Sequence, residues 1–186
     1  ALGFSEESKI PFELAIIRNH YVGRTFIQPT QSSRHSTVKM KHNPNKSTVE
    51  GKKIILIDDS IVRGTTSVKI VQLMRDSGAK EVHLRIACPP IMFPDFYGID
   101  TPETEQLLAA NHSLDDMCTF IGADSLGFLS LDGLYKAMGY PKGRDNENPQ
   151  FTDHCFTGDY PTDLKDYNDK NLQEQLSLLS DNEASI

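Results

Sequence analysis

Long apolar runs are missing from this sequence. No stretch approaches the roughly 20 residues that a membrane span needs, and no charged opening followed by an apolar segment marks a secretory signal. Both absences predict a cytoplasmic protein with no membrane partner. Cysteine is scarce: Cys88, Cys118 and Cys155 stand without a pairing rhythm, which excludes a disulfide framework and suits half-buried thiols in a reducing compartment. Positive charge is also in deficit. A net charge of -7 and a pI near 5.3 argue against a nucleic-acid surface, because phosphate backbones demand clustered Lys and Arg. No G-x-x-x-x-G-K-[ST] and no G-x-G-x-x-G occurs, so neither a P-loop nor a dinucleotide fingerprint is present. No internal repeat stands out. An initiating methionine is lacking too: the chain opens at Ala1, in what reads as the end of a helix, as expected of a piece of a longer polypeptide.

What is present suffices for one domain with a core and some trailing sequence. The 186 residues are 38 % hydrophobic and 24 % charged, ordinary for a globular chain. A helical fragment over Ala1–Ser8 is broken at Pro11, and Leu14–Ile17 is a short strand candidate. A polar stretch from Arg18 to Lys52 follows, with Arg18, Arg24, Arg34, Lys39, Lys41 and Lys46 along it. A connection that long is a solvated loop or a mobile cover over an anionic ligand, and charge alone does not separate the two.

The middle is the most legible part. Ile54–Ile57 is a continuous aliphatic run, as in a strand buried on both faces of a parallel sheet. Gly64 permits a tight turn, and Thr65, Thr66 and Ser67 are good helix N-caps. Ile70, Val71, Leu73 and Met74 form one helical stripe closed by Gly78. Glu81–Cys88 alternates as a second strand. The result is a βαβ unit with a right-handed crossover, whose ligand belongs at the carboxyl ends of the strands, where Asp58 lies. Beyond an irregular turn at Pro89, Pro90 and Pro94, helices are predicted over Pro102–Ala110, Ser113–Phe120 and Leu131–Met138, and a strand over Ser125–Ser130. Residues 141–149 read as loose, and Asn171–Ser180 as a marginal terminal helix. The division expected is a domain over 1–140, with a flexible loop at 18–46, and a partly loose extension over 141–186.

Asp58 and Asp59 end the apolar strand. Carboxylates there suit vicinal sugar hydroxyls and a hard divalent cation, held directly or through water. Ser60, Ile61, Val62, Arg63, Gly64, Thr65 and Thr66 then supply backbone N–H groups and hydroxyls leading into a helix N-terminus, a ready anion site. A sugar-hydroxyl reader joined to a phosphate cradle is the layout for ribose 5-phosphate. The competing reading, in which the two carboxylates merely cap a turn, does not account for the whole pattern from Ile54 to Thr66.

That pattern resembles the 5-phosphoribosyl diphosphate (PRPP) signature of type I phosphoribosyltransferases. Four further stretches, Asn19–Pro29, Phe96–Thr101, Ile121–Leu126 and Cys155–Pro161, are similar to the glutamine PRPP amidotransferases (amidophosphoribosyltransferases) among them. The resemblance implies an α/β fold with a parallel sheet and helices on both faces, incomplete at its N-terminal side. It implies transfer of glutamine-derived ammonia to PRPP, giving 5-phosphoribosylamine, glutamate and diphosphate in purine biosynthesis. By the same resemblance Asp58 and Asp59 serve the ribose hydroxyls and one Mg2+ per PRPP site, and Ser60–Thr66 hold the 5-phosphate. Arg24 and Lys41 meet the diphosphate, and Tyr21 lines an ammonia channel under the loop. Purine nucleotides as feedback inhibitors and a homo-oligomer are family expectations. The family's glutaminase domain has no match here, so the chain alone is expected to be inactive. An iron–sulfur cluster is not expected: Asp95 stands where cluster-bearing members have cysteine, and Thr152, not a second cysteine, precedes Cys155 at the C-x-x-C spacing. A non-catalytic PRPP or nucleotide binder on the same fold, or a transferase using a base as acceptor, would share the central motif alone. His83 reads as a sheet-face residue, His112 and His154 as loop residues without a metal partner, and Asp115-Asp116 as a solvated helix start.

Overall fold

In the computed structural model of this chain, residues 1–18 and 42–164 are described. Three parallel strands form the main sheet, β3 (Lys53–Asp58), β4 (Glu81–Ile86) and β5 (Ser125–Phe128), side by side in that order. A separate antiparallel pair, β1 (Ile16–Arg18) and β2 (His42–Pro44), carries the short α2 (Lys46–Val49) directly after it. The remaining helices are α1 (Leu2–Ser8), α3 (Thr65–Asp76), α4 (Leu108–Asn111), α5 (Leu114–Ile121), α6 (Leu131–Ala137) and α7 (His154–Thr157).

Period-2 alternation in β4 sends Val82, Leu84 and Ile86 to one face, where they are almost fully buried. Val71 and Met74 of α3, Met117 and Ile121 of α5, and Leu126 of β5 complete that core. On the opposite face His83 and Arg85 are half-buried, and Ser125 bonds both: its Oγ accepts from Arg85 Nη1 at 3.0 Å and lies 2.9 Å from His83 Nδ1. His83 is thus a sheet-face residue. Asp124 fastens the unit. Its Oδ2 accepts from the Val82 N–H at 2.6 Å and from Arg75 Nη2 at 2.7 Å, tying β4, α3 and the entry to β5 together.

Several boundaries differ from the sequence reading. The segment Pro102–Ala110 is not one helix. A 3₁₀ turn at Thr104–Gln106 and α4 are separated by Leu107, whose φ of -79° and ψ of 116° are extended. The break has a cause: the Leu108 N–H donates to the Val62 carbonyl (2.8 Å) rather than into a continuing helix. Within the stretch expected to be an unbroken polar connection, α2 forms around Val49, which is fully buried. Ser113 caps α5 as expected, accepting from the Asp116 N–H at 3.2 Å. Its hydroxyl also donates to the Asp116 carboxylate at 2.6 Å, and this bond, with one from the Ser113 backbone, holds that carboxyl below its usual range.

Over residues 141–164 the chain folds back on the body. Asp153, buried, accepts from the Tyr135 hydroxyl (2.7 Å) and from Arg144 Nε (2.7 Å). The Met92 and Phe93 N–H groups donate to the Cys155 carbonyl, and the Tyr160 hydroxyl donates to the Pro94 carbonyl.

Candidate functional site

β3 opens at the exposed Lys53, is apolar over Ile54–Ile57 and terminates at Asp58, half-buried at the carboxyl end of the strand. The Ala87 N–H bonds the Asp58 carbonyl at 2.9 Å, so the ends of β3 and β4 are held level. Asp58 Oδ1 accepts the N–H of Asp59 at 3.0 Å, which turns the chain out of the strand, and the exposed Asp59 accepts from the Ser60 hydroxyl at 3.1 Å. Both carboxylates therefore stand at the crevice where parallel α/β sheets bind ligands.

Ile61, 2 % exposed, anchors the loop in the core. At Gly64 the backbone is left-handed (φ 74°, ψ -11°), and a Cβ there would meet Leu108 Cδ2 at 2.7 Å and Phe120 Cε1 at 3.1 Å. Two requirements, conformation and space, select glycine. Gly64 itself is the N-cap of α3; the expectation that Thr65, Thr66 or Ser67 would cap is corrected, since all three already lie inside the helix. The reason is that the left-handed glycine makes the turn a residue earlier. The Val68 N–H closes on the Gly64 carbonyl at 3.0 Å, so the N–H groups of Thr65, Thr66 and Ser67 precede the helical ladder and point out of its positive end. Thr65 and Thr66 are exposed beside them, while Ser67 faces inward.

Electrostatics mark the same spot. Burial, and then the charges of Asp59 and Asp58, push the Cys88 thiol up to about 11. Beside the protonated Cys88 thiol, the Asp58 and Asp59 carboxylates are hard oxygen donors, a set that fits Mg2+ or a similar cation. Arg24, Lys41 and Tyr21 lie outside the described residues.

The expectation that His154 lies in a loop is corrected, while a hydrogen-bond partner, as distinct from a metal partner, was not foreseen. His154 opens α7, is 3 % exposed, and its Nε2 lies 2.7 Å from Asp95 Oδ1. Asp95 Oδ2 also accepts from the Tyr97 and Ile99 N–H groups, bonds that with His154 offset the cost of burial and keep the carboxyl below its ordinary value. Asp95, His154 and Cys155 place their donor atoms within 4.8 Å of one another. The Oδ1–Nε2 separation, however, is that of a hydrogen bond and too short for two ligands of one ion. The pairing spans 59 positions, which spacing along the chain could not show.

Sequence reasoning also missed the floor of the loop. Leu107, Leu108 and Gln106 support it from below: besides the Leu108–Val62 bond, Arg63 Nε donates to Gln106 Oε1 at 3.0 Å. The buried pair Leu107-Leu108 was visible as an apolar step, though nothing local pointed it at residue 62.

Residues 10–90, which contain this loop and both carboxylates, match the phosphoribosyl transferase domain family. That stretch belongs to the phosphoribosyl transferase domain family. It is 58 % identical over 183 residues to an amidophosphoribosyltransferase of Rhizobium etli, covering 98 % of this chain and 37 % of that protein. With the amidophosphoribosyltransferase of Bacillus subtilis it shares 50 % identity, over 88 % of this chain and 34 % of the relative. The solved glutamine PRPP amidotransferase of B. subtilis, complexed with ADP and GMP, superposes with a TM-score of 0.74 at 50 % identity, covering 88 % of this chain and 36 % of that one. The chain thus spans little more than a third of the length of the relatives it matches. Among the described residues no helix is long and apolar enough to cross a membrane.

Proposed function

We propose that this chain carries the PRPP-binding part of an amidophosphoribosyltransferase, which moves glutamine-derived ammonia onto PRPP and releases diphosphate. The observation that carries the reading is the joining of Asp58 and Asp59, through the Gly64 loop, to the open N-terminus of α3. A vicinal diol and a phosphate attached to one sugar require those two surfaces side by side. High identity to amidophosphoribosyltransferases across nearly the whole chain supports the choice of ammonia as acceptor.

Each group then has a physical task. The N–H groups of Thr65, Thr66 and Ser67, with the Thr65 and Thr66 hydroxyls, take the 5-phosphate, where the helix dipole favours its charge. Asp58 and Asp59 accept from the 2- and 3-hydroxyls and fix the ring. The same two carboxylates would hold Mg2+, which supplies neutralisation of the leaving diphosphate. Bond breaking at the anomeric carbon leaves oxocarbenium character on the sugar, which a nearby carboxylate stabilises. Arg24 and Lys41 are proposed for the departing diphosphate and Tyr21 for the ammonia path. Covering the site excludes water, the competing nucleophile. Neutral ammonia needs no general base. Purine nucleotides as inhibitors, a cytoplasmic location and a homo-oligomer belong to this proposal.

The test is an Asp58→Asn, Asp59→Asn double substitution in the complete protein, assayed for ammonia-dependent phosphoribosylamine formation at saturating Mg2+. Turnover should fall by about a hundredfold or more. Unchanged turnover would remove these carboxylates from the reaction.

A further inference from the structure

The phosphate loop does not hold its own shape. Its Ser60–Gly64 backbone crosses above the strap formed by residues 104–111, and three contacts join the two. The Leu108 N–H bonds the Val62 carbonyl at 2.8 Å. Leu108 Cδ2 fills the space under Gly64. Arg63 Nε donates to Gln106 Oε1 at 3.0 Å across 43 positions of sequence. The strap is itself braced: Asn111 Nδ2 donates to the carbonyls of Thr104 and Leu107, each at 2.8 Å, and Leu107 is fully buried.

Arg63 is exposed, and an exposed arginine ordinarily samples many rotamers. One bond to Nε removes much of that freedom while using a single one of the five guanidinium donors. Both Nη groups then remain for an anion. Gln106 is equally exposed and has no core to fill, so its carbonyl oxygen has no evident packing duty.

We propose that Gln106 is a positioning residue for PRPP binding: through Arg63 it pre-orders the 5-phosphate loop and presents the Arg63 Nη groups to the bound phosphate. This rests on the proposed function above. Pre-ordering lowers the entropy lost when the ligand binds, so its removal weakens ground-state affinity in particular.

The experiment is a double-mutant cycle in the complete protein, with Gln106→Ala, Arg63→Ala and the pair, plus Gln106→Glu as the conservative variant. KM for PRPP, kcat and the thermal midpoint are read for each. Gln106→Ala should raise KM by about fivefold, with a much smaller change in kcat and no fall in the thermal midpoint. Gln106→Glu, which keeps the acceptor oxygen, should restore KM. In the Arg63→Ala background, Gln106→Ala should add nothing. An unchanged KM in Gln106→Ala, no recovery in Gln106→Glu, or the same fivefold rise without Arg63 would each overturn the assignment. Absence of PRPP binding by the wild-type protein would instead remove the parent reading.

Discussion

Gly64 shows how much one residue can decide. It carries the left-handed turn that ends the loop, caps α3, and leaves room for Leu108 and Phe120. Gly64→Ala should therefore destabilise the protein by about 2–3 kcal/mol, part from the left-handed conformation and part from overpacking against the buried Leu108. Urea denaturation would show the loss as a lower midpoint with an unchanged slope. A change within a few tenths of a kcal/mol would mean that Leu108 moves aside at no cost. At this scale the sequence was informative: an apolar run, two carboxylates, a glycine and hydroxyl residues are a local pattern, and local patterns are legible. The cap was misplaced by one to three residues because Thr and Ser are the usual caps, whereas here the left-handed conformation of Gly64 was already required.

Among the elements, Asp124 is the fastener of the βαβ unit. The bond from the Val82 N–H, outweighing the opposing cost of burial and assisted by Arg75, holds its carboxyl below the ordinary 3.8. A depressed folded value means that this stabilisation is complete above the unfolded value and disappears as pH falls through the folded one. Asp124→Asn should accordingly lower the urea midpoint at pH 7 and lose less stability than wild type between about pH 5 and pH 3. Parallel pH profiles for the two proteins would show that the charge contributes nothing. β4 and α3 were readable from periodicity because each buries one regular face; β3 was readable as a continuous apolar run, although Ile54–Ile57 are half-buried rather than buried on both faces. The interruption at Leu107 was not, since the Leu108 N–H is drawn away by the carbonyl of Val62, 46 positions before Leu108.

On the scale of the whole molecule, residues 141–164 are fixed by a charged cluster. Arg144 and Asp153 are 8 % and 5 % exposed at the side chain, and Arg144 also reaches Asp159 at 2.6 Å. Those two carboxylates hold the guanidinium charged at any accessible pH. Removing one member of a buried pair leaves the other charged and unsolvated, so Arg144→Met should cost about 3 kcal/mol or more. Limited proteolysis should then cut first within residues 141–164; an unchanged digestion pattern would show that the cluster is not what holds this segment. Composition had suggested looseness between Pro141 and Pro149, because Asn, Gly and charge are what a sequence shows whether or not a distant Asp153 and Tyr135 await it.

The strap under the phosphate loop carries a consequence for how such a site can be divided. The stretch bearing the family signature runs from residue 10 to residue 90, yet the groups that shape its loop, Gln106, Leu108 and Phe120, all come afterwards. Signature and scaffold are separate parts of the chain. A graft of the signature alone onto another sheet would transfer the chemistry of the carboxylates and leave the loop without a floor, and the two halves are joined only once the polypeptide has closed a circuit of some four dozen residues.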